Sequence, residues 1–207
     1  MDKIVKCKFA VNATRGYGFF EGFLAKKRAC VADRLIPNVS RKGRILDIGC
    51  GTYPYLLSKI NFKEKYGLDQ NLNELCKGQF NDINLQKFNI ENEKVIPFQS
   101  AYFDIVTMLA VCEHLGQNVL SEKFTEVHRV LKPEGRFIIT TPAPWSSFIL
   151  KIMAALKLVS FVEIEEHKCL YSRFKILSLL NQCGFNFKKI KSGYFELFMN
   201  TWIIAEK

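Results

Sequence analysis

The chain has 207 residues, of which 48% are hydrophobic and 24% charged. This length and composition predict one globular domain with a full core and argue against a disordered chain. The net charge of +10 attracts anions, so a nucleic acid, an anionic lipid or a phosphorylated substrate is compatible with it. No helix-turn-helix, finger or single-strand-binding signature accompanies the scattered lysines, so we favour a solvated basic face over a nucleic-acid surface.

The seven cysteines form no CxxC pair, and Cys50, Cys112 and Cys183 lie in apolar segments. These features indicate free, buried thiols in a reducing compartment rather than disulfides or a zinc site. The first residues, Met1 to Lys6, lack the apolar core of a signal peptide. We therefore expect a cytoplasmic protein.

The first predicted element is an amphipathic helix over residues 19–36, which Pro37 ends. One stripe recurs at intervals of three and four residues and is apolar except for Lys27: Phe20, Phe23, Leu24, Lys27, Val31 and Leu35.

Short apolar runs then alternate with helical stretches. Strands are predicted at 44–48, 65–69, 86–89, 102–109 and 135–141. Helices are predicted at 53–60, 71–78, 119–131 and 172–182, the last with Ser172 as N-cap and Gly184 after its C-terminus. This alternation predicts an α/β fold, a doubly wound parallel sheet with helices on both faces.

The end of the chain has a different pattern. Two strand-like runs, 185–190 and 196–205, are joined by a predicted turn at Ser192-Gly193. No helix fits between them, so they should pair antiparallel and close the sheet as a hairpin.

The glycine turn after the first strand predicts a nucleoside site. Gly49 and Gly51 permit a tight turn and close approach of a ligand to the backbone. Asp69 ends the next strand 20 residues after Gly49, close to the spacing of a doubly wound nucleoside site, and its carboxylate can accept from both ribose hydroxyls. The alternative role of Asp69 is to cap the helix predicted at 71–78.

A dinucleotide is disfavoured at this turn. Pro54 stands where a third small residue is expected, and it lacks the amide that would bind a pyrophosphate. The carboxylate of Asp47 favours a cationic ligand instead. A nicotinamide oxidoreductase is therefore the lowest-ranked function. After the third strand, Asn89 can read an adenine edge while Ile90 packs on the ring, unless the two form a plain turn.

The fourth strand delivers residues 110–115 to its carboxyl end, where ligands of open α/β sheets bind. The segments that carry a family resemblance are Leu46-Asp47-Ile48-Gly49-Cys50-Gly51-Thr52, Gly67-Leu68-Asp69, Pro97-Phe98 before Phe103-Asp104-Ile105-Val106, Glu113-His114-Leu115, and Val130-Leu131-Lys132-Pro133-Glu134-Gly135-Arg136. Together they resemble class I S-adenosylmethionine-dependent methyltransferases of the broad small-molecule group, from about residue 40 onward.

The resemblance implies a seven-stranded sheet with one reversed strand and S-adenosyl-L-methionine as cofactor. Gly49 and Gly51 would line its methionine part, Asp69 its ribose and Leu109-Ala110 its sulfonium side. The full set of implied cofactor-binding residues is Asp47, Gly49, Cys50, Gly51, Tyr53, Asp69, Gln70, Asn89, Ile90, Leu109 and Ala110.

Two positions depart from the family pattern. Tyr53 replaces a frequent third glycine and would reshape the methionine end of the pocket. Ala110 stands where quinone O-methyltransferases and small-RNA 2′-O-methyltransferases carry a Glu, so we expect no metal at Glu113 and His114.

Methyl transfer from a sulfonium depends mainly on holding the acceptor close and aligned. An imidazole suits the role of general base near neutral pH, so His114 and His167 are the candidate catalytic residues, each with a merely structural or surface role as the alternative. His128 is expected at the surface.

The segment after the fifth strand bears on the acceptor. Its residues 145–159 present one apolar helical face but include two lysines, which disfavours a membrane span. A lid over an apolar acceptor, a core helix and a membrane-surface contact remain open. We divide the single domain into a helical cap (1–40), a cofactor-binding core (41–141), a lid insertion (142–170) and a C-terminal helix and hairpin (171–207).

The expected function is methyl transfer to an oxygen or nitrogen atom of a small or medium metabolite, such as a sugar, polyketide or lipid-linked intermediate. Two other functions stay open: an RNA methyltransferase, which the charge of +10 would serve, and a non-catalytic module that binds S-adenosylmethionine. The sequence does not indicate an oligomeric state.

Overall fold

The computed structural model describes residues 21–73, 78–146 and 169–207. Its centre is a seven-stranded sheet with the order β3-β2-β1-β4-β5-β7-β6. The strands are β1 (Arg44–Ile48), β2 (Glu64–Asp69), β3 (Asn84–Lys87), β4 (Phe103–Leu109), β5 (Leu131–Pro142), β6 (Ile190–Phe195) and β7 (Asn200–Glu206). Strands β1 to β5 are parallel, while β7 is antiparallel to both β5 and β6. The predicted mostly parallel sheet with an antiparallel hairpin is confirmed.

Helices cover both faces of this sheet. They are α1 (Glu21–Leu35), α2 (Tyr55–Lys59), α3 (Gln117–Val130) and α4 (Arg173–Gln182). Each face of the sheet packs against its own apolar cluster, and successive side chains of β5 point to opposite faces. Phe137 and Ile139 pack with α3 and α4, whereas Ile138 packs with α1 and α2. The doubly wound arrangement is thus confirmed for the described residues.

The order of the strands locates the crevice of the fold. The chain leaves β1 for β2 and β3 on one side, then returns to β4 on the other side of β1. Such a reversal separates the loops that follow the two central strands, and ligands of open α/β sheets bind there, at the carboxyl ends.

The ends of α4 agree with the sequence. The hydroxyl of Ser172 accepts from the amide of Lys175 at 3.2 Å, as an N-cap does. Gly184 follows the helix with φ +100°, the left-handed conformation that favours glycine. Both predicted capping roles are confirmed.

The apolar stripe predicted for the first helix is only partly correct. Leu35 packs against the core, but Phe23 is 51% exposed, and the buried positions of this segment are Ala29, Ala32 and Ile36. Alanines allow α1 to lie close to the sheet and to α2, and a stripe chosen from the largest side chains misses such a contact.

The predicted hairpin turn is also misplaced. Ser192 and Gly193 lie inside β6, opposite Ile203 and Trp202, and the turn comprises residues 196–199. The predicted strand at 185–190 is largely a 3₁₀ turn, Phe187–Lys189. A Cβ on Gly193 would lie 2.7 Å from the Trp202 ring, so this glycine serves close cross-strand packing rather than a turn.

Three predictions concern residues outside the described ranges. They are the middle of the helix predicted at 71–78, most of the lid at 142–170, and His167. The described residues 71–73 are not helical, so the predicted start of that helix is wrong. Within the described ranges, no helix is long and apolar enough to cross a bilayer.

Candidate active site

The candidate site lies where β1, β2 and β4 end. Asp47 of β1 stands in register with Gly67 of β2 and with Thr107 of β4. The loops after β1 and β4 leave this edge on either side of the point where the strand order reverses. The predicted cofactor residues that follow β1, β2 and β4 are therefore neighbours in space.

Two glycines set the shape of the turn after β1. Gly49 and Gly51 have φ of +77° and +73°, and the amides of Gly49 and Cys50 donate to the Leu68 carbonyl at 2.7 and 3.2 Å. The Cys50 side chain is buried and lies against Gly67, so its contact with a ligand would come from the backbone.

The two glycines differ in what surrounds them. A Cβ on Gly49 would lie 2.4 Å from a methyl group of Val111, so the turn is packed tightly against the loop after β4. A Cβ on Gly51 would meet no heavy atom closer than 3.9 Å. The turn is therefore open at Gly51, where a ligand can approach the backbone.

Asp69 fastens this turn to the end of β2. One carboxylate oxygen accepts from the Gly51 amide at 3.0 Å, and the other accepts from the Asn71 amide at 2.8 Å. The Asn71 contact is a local side chain–backbone turn, and residues 71–73 are not helical, so it is not the helix N-cap that the alternative interpretation of Asp69 predicted. A carboxylate has about four acceptor positions, so these contacts are compatible with binding a ribose diol as well.

Asp47 is a second buried acid at this edge. It is 4% exposed, and its carboxylate accepts a hydrogen bond from the Thr107 hydroxyl at 2.6 Å. Burial raises the pKa of Asp47 to about 7, and the negative charge of Asp69 adds to the shift while Thr107 opposes it. A cation bound beside Asp47 would stabilise the carboxylate form.

Asn89 and Ile90 are both half-buried and follow β3. The Phe88 amide donates to the Asp69 carbonyl at 3.1 Å, which places this loop beside the end of β2. The side-chain oxygen of Asn89 accepts from the amides of Glu91 and Asn92 at 3.0 and 3.2 Å. Both acceptor positions of that oxygen are thus engaged in the turn, so contact with an adenine edge would use the side-chain nitrogen.

The end of β4 has an unusual backbone. Ala110 has φ +55°, and its amide donates to the Thr140 carbonyl of β5 at 2.9 Å. Leu109 and Ala110 are half-buried at this edge. A left-handed conformation in a residue other than glycine costs about 1–2 kcal/mol, and it turns the chain sharply toward the glycine turn.

Glu113 and His114 occupy the short 3₁₀ turn after β4, Cys112–His114. Glu113 is 2% exposed and accepts from the Thr141 hydroxyl at 3.1 Å, and burial raises its pKa. His114 is half-buried, and its amide donates to the Val111 carbonyl. Glu113 therefore anchors the turn to β5, and His114 lies at its end.

Tyr53 and Gln70 complete the predicted set. The ring of Tyr53 packs edge-on against Phe80, with centroids 5.1 Å apart, and Gln70 is half-buried just after β2. The described ranges contain no group of three or more His, Cys, Asp or Glu residues that could hold a metal ion. His128, expected at the surface, is instead half-buried and packs edge-on against Phe185.

The sequence interpretation missed Thr107, Val111 and Thr141. Thr107 is a polar residue between apolar neighbours in the buried part of β4, at the position that pairs with Asp47. Such a residue in a buried strand is the signal that could have identified it, because buried hydroxyls need a hydrogen-bond partner.

Comparison with known proteins agrees with this geometry. A family model described as "Methyltransferase domain" matches residues 23–189, so the chain belongs to the S-adenosylmethionine-dependent methyltransferase family.

Solved structures share the fold. A SAM-dependent methyltransferase from Archaeoglobus fulgidus is 22% identical, with a TM-score of 0.69 over 91% of this chain and 98% of that one. A methyltransferase from Mesorhizobium loti is 17% identical, with a TM-score of 0.66 over 89% and 100%. A phosphoethanolamine N-methyltransferase from Haemonchus contortus is 14% identical, with a TM-score of 0.64 over 88% and 53%.

The residues of the site fit S-adenosylmethionine, the cofactor of this family. The turn is open at Gly51, which suits the approach of the methionine part to the backbone. Two buried carboxylates, Asp47 and Asp69, suit a ligand that carries a sulfonium and an ammonium and also offers a ribose diol.

The two glycines should respond differently to substitution. Gly49→Ala should mainly destabilise the fold, because its Cβ clashes with Val111 in addition to the backbone strain. Gly51→Ala carries the strain of about 1–2 kcal/mol without a clash, but its methyl group occupies the open side of the turn. Thermal unfolding and calorimetric titration with S-adenosylhomocysteine should separate the two effects. Equal loss of affinity and stability in both variants would contradict this assignment.

Cofactor affinity should depend on pH through Asp47. Its pKa is raised to about 7 in the folded protein, so below that pH a cationic ligand must displace a proton. Affinity should therefore rise with pH, by at most about tenfold per unit, and level off above about 7. Asp47→Asn keeps an acceptor for Thr107 and removes the titration. Cofactor affinity is measured from about pH 5.5 to 8.5 for the original chain and for Asp47→Asn. If affinity changes with pH equally in both proteins, Asp47 is not the source of the pH dependence.

Proposed function

We propose that this methyltransferase transfers the methyl group to an oxygen or nitrogen atom of a small or medium-sized metabolite. The classes of acceptor that we consider are a sugar, a polyketide and a lipid-linked intermediate. The cofactor-binding part of this proposal is supported by the hydrogen bond of 3.0 Å between Asp69 and the Gly51 amide, beside the buried acid Asp47. It links the two loops that would hold the adenosyl and methionine parts.

The proposed division of labour follows from the positions of the side chains. Bound S-adenosylmethionine supplies a methyl group on a positively charged sulfur, which is a good leaving group. Gly49 and Gly51 admit the methionine part, Asp69 accepts from the ribose hydroxyls, and Asp47 offsets the positive charge. None of these residues needs to react, because holding the two reactants close and aligned gives most of the acceleration.

His114 is the proposed proton acceptor. The acceptor atom forms a bond to the methyl carbon as the carbon–sulfur bond breaks, and its own proton must leave. A half-buried imidazole on the turn after β4, which Glu113 anchors, is a group that can take up this proton. His167, the other candidate, lies outside the described residues and remains a sequence-based prediction.

Relatives of similar fold support an acceptor of this size. One from Thermotoga maritima is described as a possible histamine N-methyltransferase, with 17% identity and a TM-score of 0.63 over 91% of this chain and 98% of that one. The Haemonchus contortus enzyme was solved with phosphomonomethylethanolamine and S-adenosylhomocysteine. The acceptors named for these two proteins are amines.

Asp69 should be needed for cofactor binding beyond its role in the turn. Asp69→Ala and Asp69→Asn both remove the charge, but the Asn side chain retains an acceptor for one backbone amide. Hydrogen bonds to a charged group contribute about 1.5–3 kcal/mol each, so both variants should bind S-adenosylhomocysteine roughly 100-fold more weakly.

Asp33→Asn, at a partly exposed carboxylate paired with Arg41, is the matched control for this titration. It should leave cofactor affinity unchanged. If Asp69→Asn binds as tightly as the original chain, Asp69 serves the turn alone.

His114 should affect turnover more than cofactor affinity. Once incubation with methyl-labelled cofactor has identified an acceptor fraction, His114→Ala should lower kcat by about 10²–10⁴-fold. Its affinity for S-adenosylhomocysteine should stay close to that of the original chain. His128→Ala, in the last turn of α3 beside Phe185, is the control. An unaltered kcat in His114→Ala would assign the imidazole a structural role.

The same labelling experiment distinguishes the remaining functions. Fractions of metabolites, lipids and total RNA are each incubated with the protein and labelled cofactor. Label in RNA, with affinity that falls steeply as salt rises, would replace the metabolite proposal. Cofactor binding without label in any fraction would favour a non-catalytic module.

A further inference from the structure

A cluster of apolar side chains is exposed where α4 begins and where the β6–β7 turn ends. Phe174 is 74% exposed, Tyr194 42%, Leu197 86% and Phe198 66%. The Arg173 guanidinium lies 5.4 Å from the Phe174 ring centroid and 5.2 Å from that of Tyr194, and the Tyr194 and Phe198 centroids are 5.8 Å apart. These five residues, which we call the aromatic patch, are therefore contiguous.

The aromatic patch lies on the same edge of the sheet as the candidate active site. Asn200, just after the β6–β7 turn, pairs with Pro142, the last residue of β5. The Ala143 amide donates to the Met199 carbonyl at 2.8 Å, so the turn is fixed to the chain that leaves β5. Strand β5 ends at this edge beside β4 and Ala110.

The turn holds its apolar side chains outward at a conformational cost. Glu196, Leu197 and Phe198 have φ of +51°, +53° and +66°, although none of them is a glycine. Three consecutive left-handed residues are unfavourable, and the surrounding structure must impose them. The Met199 amide donates to the Glu196 carbonyl at 3.0 Å and the Asn200 side chain donates to the Glu196 carboxylate at 2.6 Å, which holds this conformation.

The charges on the α4 side of the aromatic patch are positive. Arg173 belongs to it, Lys175 is exposed beside it, and residues 169–182 contain no Asp or Glu. The Arg173 Nε atom is buried and has no hydrogen-bond partner among the described residues. Glu196, the acid of the turn, is directed toward Asn200. An exposed apolar surface beside positive charges is complementary to a partner that has an apolar interior and an anionic surface.

We propose that the aromatic patch is a docking surface for an anionic phospholipid membrane. Leu197 and Phe198 enter the interfacial region of the bilayer, while Arg173 and Lys175 contact lipid phosphates. Aromatic and basic side chains together are typical of protein surfaces at this depth. Docking in this orientation turns the cofactor edge of the sheet toward the lipid. If the proposed methyl transfer is correct, the acceptor is therefore a lipid or a lipid-linked metabolite.

Binding to vesicles tests the docking surface without any methyl acceptor. The full chain is sedimented with phosphatidylcholine vesicles, either pure or containing about one-third phosphatidylglycerol. We expect binding to the anionic vesicles and at least tenfold weaker binding to the neutral ones. The variant Leu197→Ser with Phe198→Ser should bind the anionic vesicles at least tenfold more weakly, and Arg173→Gln should also weaken binding.

Phe187→Ser is the matched control. Phe187 is 60% exposed beside Lys188 and Lys189, at the opposite end of β6. It should leave vesicle binding unchanged. All variants should keep the original affinity for S-adenosylhomocysteine, which shows that they are folded and separates this test from the proposed function.

Four results would overturn the proposal. The first is equal vesicle binding by the original chain and the Leu197/Phe198 variant. The second is loss of binding in Lys188→Gln with Lys189→Gln alone, because these residues line a separate basic cleft with Arg136 and Lys191. The third is competition by inorganic phosphate, which would indicate a phosphate site. The fourth is a dimer that the Leu197/Phe198 variant abolishes, which would assign the aromatic patch to a second copy of the chain.

Discussion

The hydrogen bond between the Asp69 carboxylate and the Gly51 amide organises the candidate active site. It joins the glycine turn after β1 to the tip of β2, while the second oxygen of the same carboxylate holds the start of the next loop. Gly49 is fixed from the other side by Val111, which brings in the loop after β4. Three separate loops thus depend on one buried carboxylate and one closely packed glycine.

Placing two carboxylates at one edge of a sheet is electrostatically unfavourable. Asp47 and Asp69 are both 4% exposed, and the charge of Asp69 helps to raise the pKa of Asp47. A cationic ligand relieves this repulsion, so the site favours a sulfonium cofactor over a pyrophosphate that would add negative charge. The same argument relates fold stability to pH: the unfolded chain ionises Asp47 near pH 4, so stability from this group falls as pH rises to about 7.

Local patterns in the sequence predicted the order of elements and the capping of α4, because Ser172 and Gly184 act within one turn of the chain. They failed where contacts are non-local. From the sequence, Gly193 predicted a turn, but in the structure it leaves room for the Trp202 ring of the neighbouring strand. The pairing of Thr107 with Asp47 and the contact of Val111 with Gly49 likewise depend on strand register, which hydrophobic periodicity does not fix for a strand buried on both faces.

A crystal structure of the chain with S-adenosylhomocysteine tests the central claim most directly. The account predicts that the ribose hydroxyls lie within hydrogen-bond distance of both Asp69 oxygens, and that the amino acid part lies over Gly51 near Asp47. A ligand bound elsewhere, or a ribose that contacts neither Asp69 oxygen, would contradict it.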